Sequence, residues 1–85
     1  MTPEFCDEDI ARVLLDLAHA RGPDKSFCPS EGARRLADDW RPLMADVRRV
    51  ARDTGLMATQ KGVEVDPVLA KGPIRLRLRP TGSNV

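Results

Sequence analysis

Residues 40–52 constrain the fold most strongly, because on a single helix they separate apolar side chains from cationic ones. At 100° per residue, the apolar side chains fall within an arc of about 120°, whereas three arginines fall in a stripe about 40° wide. The apolar set is Trp40, Leu43, Met44, Val47, Val50 and Ala51, and the arginine set is Arg41, Arg48 and Arg52. This pattern predicts an amphipathic helix with one side in a core and a separate cationic side.

Capping residues mark both ends of this helix. Asp39 is predicted as its N-cap, because Pro42 then falls at the third helical position, where a missing backbone N–H costs no helical hydrogen bond. Gly55 is predicted as the left-handed residue that follows the last turn. The helix should therefore end near Thr54.

Two further helices are predicted upstream. The first spans about residues 7–21 and ends before Gly22, which is followed by proline. The second starts at Pro29, a residue suited to the first helical position. Gly32 in its interior costs about 0.5 to 1 kcal/mol relative to alanine, so this helix must be stabilised by packing. Residues 26–28 between the two helices form an extended linker or at most an edge strand.

After the third helix the hydrophobic period changes to that of strands. Residues 56–60 are predicted as one strand, and residues 74–79 alternate strictly between apolar residues and arginine, as half-buried strands do. Residues 61–73 contain several turn formers and are predicted as a long hairpin connection, or wing. The predicted class is α+β, mainly α with a small two-stranded antiparallel hairpin, in the chain order of winged helix-turn-helix domains. The predicted core comprises Ile10, Leu14, Leu17, Leu36, Trp40, Leu43, Val47, Ile74 and Leu76.

A chain of 85 residues is long enough for one domain only. We expect its core to span about residues 5–79, with frayed ends at residues 1–4 and 80–85. The sequence contains neither an apolar run of membrane-spanning length nor a secretory signal pattern. We therefore expect a cytoplasmic protein that makes no membrane contact.

Cysteine and histidine are too few to suggest metal binding or catalysis. Cys6 and Cys28 lie far apart without a Cys-x-x-Cys motif, and His19 is the single histidine. A structural zinc site needs about four such ligands, and nucleophilic catalysis needs a nucleophile beside a base. We expect no metal, no cofactor and no enzymatic activity, with both cysteines as small core residues and a disulfide between them as the less favoured alternative.

Several motifs between residues 26 and 78 carry a family resemblance. They are Ser-Phe-Cys-Pro-Ser-Glu at 26–31, Trp-Arg-Pro-Leu-Met at 40–44, Val-Arg-Arg at 47–49, Thr-Gln-Lys-Gly at 59–62, Val-Asp-Pro at 65–67 and Lys-Gly-Pro-Ile-Arg-Leu-Arg-Leu at 71–78. They resemble a family of short bacterial proteins of unassigned function, a domain of unknown function with a winged-helix-like fold. The resemblance covers about residues 26–79 and implies that fold, but it implies no activity, substrate or site.

Charge is distributed unevenly along the chain. Residues 1–31 hold seven acidic against three basic side chains, a net charge of −4, whereas residues 32–85 hold eleven basic against six acidic, a net charge of +5. A field of one sign over the C-terminal part is what a polyanionic partner requires. The asymmetry is consistent with nucleic-acid binding but is not specific to it.

The candidate nucleic-acid contacts are Arg41, Arg48 and Arg52 on the third helix, with Lys61 and Lys71 near the wing. The three arginines have little acidic compensation on their own helix, whereas Arg49 has Asp46 and Asp53 beside it and is predicted to be neutralised. An equally weighted alternative is that the arginine stripe is solvated or pairs with the acidic N-terminal region. Arg75, Arg77 and Arg79 are predicted as solvated charges that protect the sheet edge.

Two functions follow from this pattern. The first is weak, salt-sensitive binding of double-stranded DNA through phosphate contacts, since the exposed helix face lacks the Asn and Gln that pair with adenine. A homodimer would double the number of contacts. The second is a protein-interaction module that presents the wing or the third helix to another protein.

Overall fold

The computed structural model describes residues 6–79, where three helices precede three strands. The elements are α1 (Asp7–Arg21), α2 (Pro29–Leu36), α3 (Met44–Thr54), β1 (Met57–Gln60), β2 (Val63–Val65) and β3 (Arg75–Arg77), with a 3₁₀ helix (Arg41–Leu43) directly before α3. The predicted class, three helices followed by antiparallel strands, is confirmed. The expected fraying at residues 1–4 and 80–85 lies outside the described residues.

The strands form one antiparallel sheet in the order β2-β1-β3. The short strand β2 was not predicted and lies within the connection assigned to residues 61–73. Lys61 and Gly62 both have positive φ, at 53° and 81°, which is the backbone conformation of a tight two-residue hairpin turn. This turn returns the chain onto β1, so part of the predicted connection becomes a strand.

Phe27 extends the sheet beyond β3. Its backbone N–H and carbonyl both pair with Leu76 of β3 at 2.8 Å, as an isolated antiparallel bridge. The Phe27 side chain is fully buried, although residues 26–28 were predicted only as a linker or edge strand. Burial of a whole phenylalanine side chain stabilises a small domain, so the short segment before α2 is part of the core.

The core lies between the three helices and one face of the sheet. Six of the nine predicted core residues are buried, namely Ile10, Leu14, Leu17, Val47, Ile74 and Leu76. The other three, Leu36, Trp40 and Leu43, are partly buried and pack against this cluster. The predicted apolar face of the third helix is therefore the face that contacts the core.

Gly32 allows close packing of α2 on α1. A Cβ atom at this position would lie 2.7 Å from Cδ2 of Leu14, whose side chain is fully buried. Glycine destabilises a helix interior, but at position 32 it leaves the space that the Leu14 side chain occupies.

The start of the third helix differs from the prediction. Asp39 is not the N-cap: Trp40 precedes the 3₁₀ helix, and α3 itself begins only at Met44. The Leu43 N–H donates to the carbonyl of Trp40 at 2.9 Å rather than to that of Asp39. Pro42 has no backbone N–H to donate, so this first turn lacks one hydrogen bond. It adopts the tighter 3₁₀ form. The predicted end is confirmed, since Gly55 is left-handed with φ 79°.

None of the helices between residues 6 and 79 has the length and apolar character needed to cross a membrane.

Candidate nucleic-acid interface

The Arg48 side chain binds the backbone of the segment that follows β2. Its guanidinium donates to the carbonyl oxygens of Pro67 at 3.4 Å, Ala70 at 2.8 Å and Gly72 at 2.6 Å. The residue is half-buried. Arg48 therefore anchors residues 66–72, which we call the anchored loop, to α3.

Arg52, one helical turn further along, anchors the same loop through a carboxylate. Its guanidinium binds Asp66 with a shortest N–O distance of 2.8 Å. The hydrogen bonds from Arg52 hold the pKa of Asp66 below its ordinary value, and the backbone N–H groups of Val68 and Leu69 act in the same direction. Arg52 thus finds its acidic partner on another element, which the composition of its own helix did not indicate.

A third contact fixes the end of the anchored loop against the sheet. The side-chain amide of Gln60 in β1 donates to the carbonyl of Lys71 at 2.6 Å and to that of Pro73 at 3.2 Å. The Ala70 N–H also donates to the carbonyl of Asp66, which closes one helical turn within the loop. The loop is therefore held from α3 on one side and from β1 on the other.

Arg41, Lys61 and Lys71 are the predicted contacts that remain available. All three are exposed, and their charged side-chain groups form no ion pair or hydrogen bond with residues 6–79. Lys71 belongs to the loop that Arg48 binds, and Lys61 directly follows Gln60, which contacts Lys71. Two of the three cations therefore lie at the anchored loop or beside it. Arg41 lies in the 3₁₀ helix before α3, with its guanidinium over the Trp40 ring.

Trp40 joins Arg41 to an arginine that was not among the candidates. The guanidinium carbon of Arg41 lies 4.9 Å from the centroid of the Trp40 ring, and that of Arg34 from α2 lies 4.8 Å from it. Both distances are typical of cation–π contacts. The sequence offered one indication of the contact between Arg34 and Trp40. Arg34 lies in the last turn of α2, and only a short connection separates that turn from Trp40.

Arg49 is neutralised, as predicted, but mainly by a distant residue. It donates to both carboxylate oxygens of Asp7, at 2.8 and 2.9 Å, and to Asp46 at 3.2 Å. Hydrogen bonding by Asp7 raises the pKa of Arg49, and the same hydrogen bonds lower the pKa of Asp7. This exposed pair connects the start of α1 to α3.

The three arginines at the C-terminal end tie the sheet to neighbouring segments. Arg75 donates to Ser26, Arg77 donates to the carbonyl of Pro23, and Arg79 pairs with Glu64 of β2 at 2.8 Å. The hydrogen bond from Arg79 lowers the pKa of Glu64. Their contacts join β2, β3 and the α1–α2 connection.

The cysteines are not core residues, in contrast to the prediction. Cys6 is exposed at the N-cap of α1, one turn before the first buried residue, and its thiol lies 3.3 Å from Asp9. Cys28 is half-buried at the N-cap of α2, where its side chain accepts a hydrogen bond from the backbone of Glu31. Both are free thiols. Capping explains their exposure, because an N-cap side chain faces the open end of its helix.

Histidine, cysteine and carboxylate side chains do not converge in the described part of the chain. Across residues 6–79, no three of them come together in a group that could hold a metal ion. His19 is exposed on α1.

Comparison with known proteins places the chain in a family. No match is found among curated proteins. Residues 7–79 match a family described as Protein of unknown function (DUF3253), and the match covers the described structure from the start of α1 to its last residue. The chain therefore belongs to this family.

Proposed function

We propose that this protein is a cytoplasmic winged-helix module that binds the phosphate backbone of double-stranded DNA weakly and without reading its sequence. In this assignment α3 is the third helix of the motif, and the chain between β1 and β3 is the wing. The order of elements and the pairing of Phe27 with β3 support the assignment.

The observation that carries the proposal is that Arg41 before α3, and Lys61 and Lys71 in the wing, lack the contacts that occupy Arg48 and Arg52. All three are exposed and carry charges that no described carboxylate neutralises. In this proposal the phosphate chain contacts both the start of the third helix and the wing, which are the two elements that winged-helix proteins commonly bring to DNA.

Arg48 and Arg52 take a different role in this proposal from the one first assigned to them. Their guanidiniums are occupied by the carbonyls and the carboxylate of the anchored loop. They hold the wing beside α3, and the phosphate contacts fall to the cations that stay free. The number of direct contacts is therefore small, which favours weak binding.

We expect no recognition of the DNA sequence because of the side chains that α3 exposes. They are Ala45, Asp46, Arg49, Arg52 and Asp53. The two arginines of this set are already paired with carboxylates, and the set contains no Asn or Gln, the side chains that pair with adenine in the major groove. Contacts to phosphates fix a protein on DNA without carrying sequence information.

The proposal includes the absence of catalysis and of any metal or cofactor. The free thiol of Cys28 caps a helix, and His19 lies on the exposed side of α1, so neither is part of a nucleophile–base pair. A homodimer of the module would double the number of phosphate contacts.

Titration of the purified protein against two labelled duplexes of unrelated sequence tests the proposal. If three cations each neutralise one phosphate, log affinity should fall with log salt with a slope of about −2.7 for both duplexes. Preference for one duplex by more than tenfold would contradict backbone binding. No binding to either duplex at low salt would favour the second candidate.

That candidate, a protein-interaction module, is favoured by the apolar side chains of the anchored loop. Leu69 is 73% exposed and Val68 41% exposed, although the loop that carries them is fixed at both ends. A rigid loop that displays aliphatic side chains can bind the apolar surface of another protein at low entropic cost.

A further inference from the structure

We infer that Arg34, Trp40 and Arg41, here called the Trp40 cluster, form a binding site for the phosphate groups of a linear polyanion. The inference rests on the proposed function, for which the duplex backbone is the source of those phosphates. It adds Arg34 as a fourth phosphate contact, which raises the expected magnitude of the salt slope from about 2.7 to about 3.6, and Trp40 as the residue that positions both guanidiniums.

The Trp40 ring is a common support for the two arginines. Their guanidinium carbons lie 4.8 and 4.9 Å from its centroid, one coming from α2 and the other from the 3₁₀ helix. The two charges are thus within about 10 Å of each other, the Debye length at 0.1 M salt, so each experiences the field of the other. The ring itself is half-buried and packs against the core, which fixes its position.

Both guanidiniums keep their hydrogen-bonding capacity. Each carries five N–H donors, and neither guanidinium donates a hydrogen bond to any residue between 6 and 79. Asp38 and Asp39 lie between them in the chain, but neither carboxylate is within ion-pair distance of either arginine. The cluster therefore holds two oriented cations whose mutual repulsion an anion would relieve.

Helix stabilisation alone does not account for this arrangement. Arg34 lies in the last turn of α2, where a cation complements the helix dipole. Arg35 occupies the same turn and meets that need equally well, yet only Arg34 lies over the ring. Stacking holds the Arg34 side chain in one orientation before a ligand arrives, so less side-chain entropy is lost when it binds.

Arg35 offers a matched control, because it is an exposed arginine on the same helix turn without the ring contact. We expect Arg34→Gln to lower the salt slope by about 0.9 and to weaken duplex binding about eightfold at 0.1 M salt. Arg35→Gln should weaken it less than twofold. Circular dichroism should be used to check that each variant is folded.

Trp40 also provides a direct spectroscopic signal. The chain has one tryptophan and no tyrosine, so its emission reports on the Trp40 cluster alone. Emission should be followed during titration with duplex DNA and, separately, with inorganic polyphosphate, which has the same linear phosphate chemistry without bases. Anisotropy of a labelled duplex gives an independent binding curve.

The expected result is a change in Trp40 emission with both probes, with a midpoint that agrees with the duplex anisotropy curve. Duplex binding without any emission change, and with equal effects of the Arg34 and Arg35 variants, would overturn the Trp40 cluster while leaving the proposed function intact. Emission changes with polyphosphate but no duplex binding would support the cluster and reject duplex DNA as its ligand. No emission response to either probe, together with no duplex binding by anisotropy, would overturn both the cluster and the proposed function.

Discussion

Arg48 donates a hydrogen bond to the backbone carbonyl of Ala70 across 2.8 Å, although the two residues lie 22 positions apart in the chain. This bond and its two neighbours attach the anchored loop to α3. A side chain whose sequence pattern suggested a ligand contact is thus a structural element of the fold. In the proposed function, its role is to hold the wing in place.

Replacing Arg48 by methionine tests this structural role. Methionine retains much of the apolar stem but removes the charged donors from three carbonyl oxygens. Hydrogen bonds to charged groups contribute about 1.5 to 3 kcal/mol, and we expect a loss of this size in the free energy of unfolding, measured by urea denaturation. Hydrogen exchange should also accelerate at the amides of the anchored loop.

Arg35→Met is the control for this substitution, because Arg35 is exposed and its guanidinium forms no ion pair or hydrogen bond with the described residues. It should change the free energy of unfolding by less than about 0.5 kcal/mol. Equal effects of the two substitutions would show that the carbonyl contacts of Arg48 contribute nothing specific.

Gly32→Ala should destabilise the protein even though alanine favours helices. The new Cβ would lie 2.7 Å from the buried end of Leu14. Overpacking a core costs about 1 to 3 kcal/mol, whereas the gain in helix propensity is about 1 kcal/mol. We expect a net loss of about 1 kcal/mol in urea denaturation.

The sign of the Gly32→Ala effect should reverse when Leu14 is shortened. In a Leu14→Ala background the obstructing atom is absent, so the same substitution should stabilise the already weakened protein by up to about 1 kcal/mol. A Gly32→Ala effect of the same sign and size in both backgrounds would show that contact with Leu14 does not explain the glycine.

The attachment of the anchored loop should weaken in acid through Asp66. Its pKa in the folded protein is lowered by hydrogen bonds from Arg52, so the ionised carboxylate favours the folded state. That contribution is fully present above the unfolded pKa of about 3.9 and is lost as the pH falls through the lower folded value. NMR should show the amides of Val68 and Leu69 shifting in this range.

Asp66→Asn removes the titrating group while keeping a side chain that can accept the same loop hydrogen bonds. The Val68 and Leu69 resonances of this variant should be flat between pH 5 and the acid limit of the fold. If the Val68 and Leu69 resonances of the variant still shift in acid, the prediction is wrong. Other carboxylates whose pKa values are also lowered, such as Asp7 or Glu64, would then cause the shift.

Local patterns were sufficient for the helices and for the order of elements. The apolar arc of residues 40–52 identified the packed face of the third helix, and Gly55 identified its end. Two features depend on contacts between distant segments and could not be derived in this way. Phe27 becomes a core residue only because it pairs with β3, and β2 exists only because β1 is available beside it.

The candidate site was only partly predictable for the same reason. Arg48 lies four residues after Met44, so on the helix it is only about 40° from the apolar arc. It borders the core rather than opposing it, and a neighbouring loop can cover it. Helical spacing indicated which arginines share a face, but the partners of Arg48 and Arg52 lie on a loop whose path the sequence did not specify.

The central claim is that duplex binding depends on the free cations Arg41, Lys61 and Lys71 and not on charge in general. Its most direct test compares two charge-matched triple variants by duplex titration over a series of salt concentrations. The first is Arg41→Gln/Lys61→Gln/Lys71→Gln, and the second is Arg12→Gln/Lys25→Gln/Arg35→Gln, which removes three other exposed cations. We predict that the first triple variant lowers the magnitude of the salt slope by about 2.7 and the second by less than about 0.5. Equal changes in the two variants, or no binding by the unmodified protein at low salt, would contradict the claim.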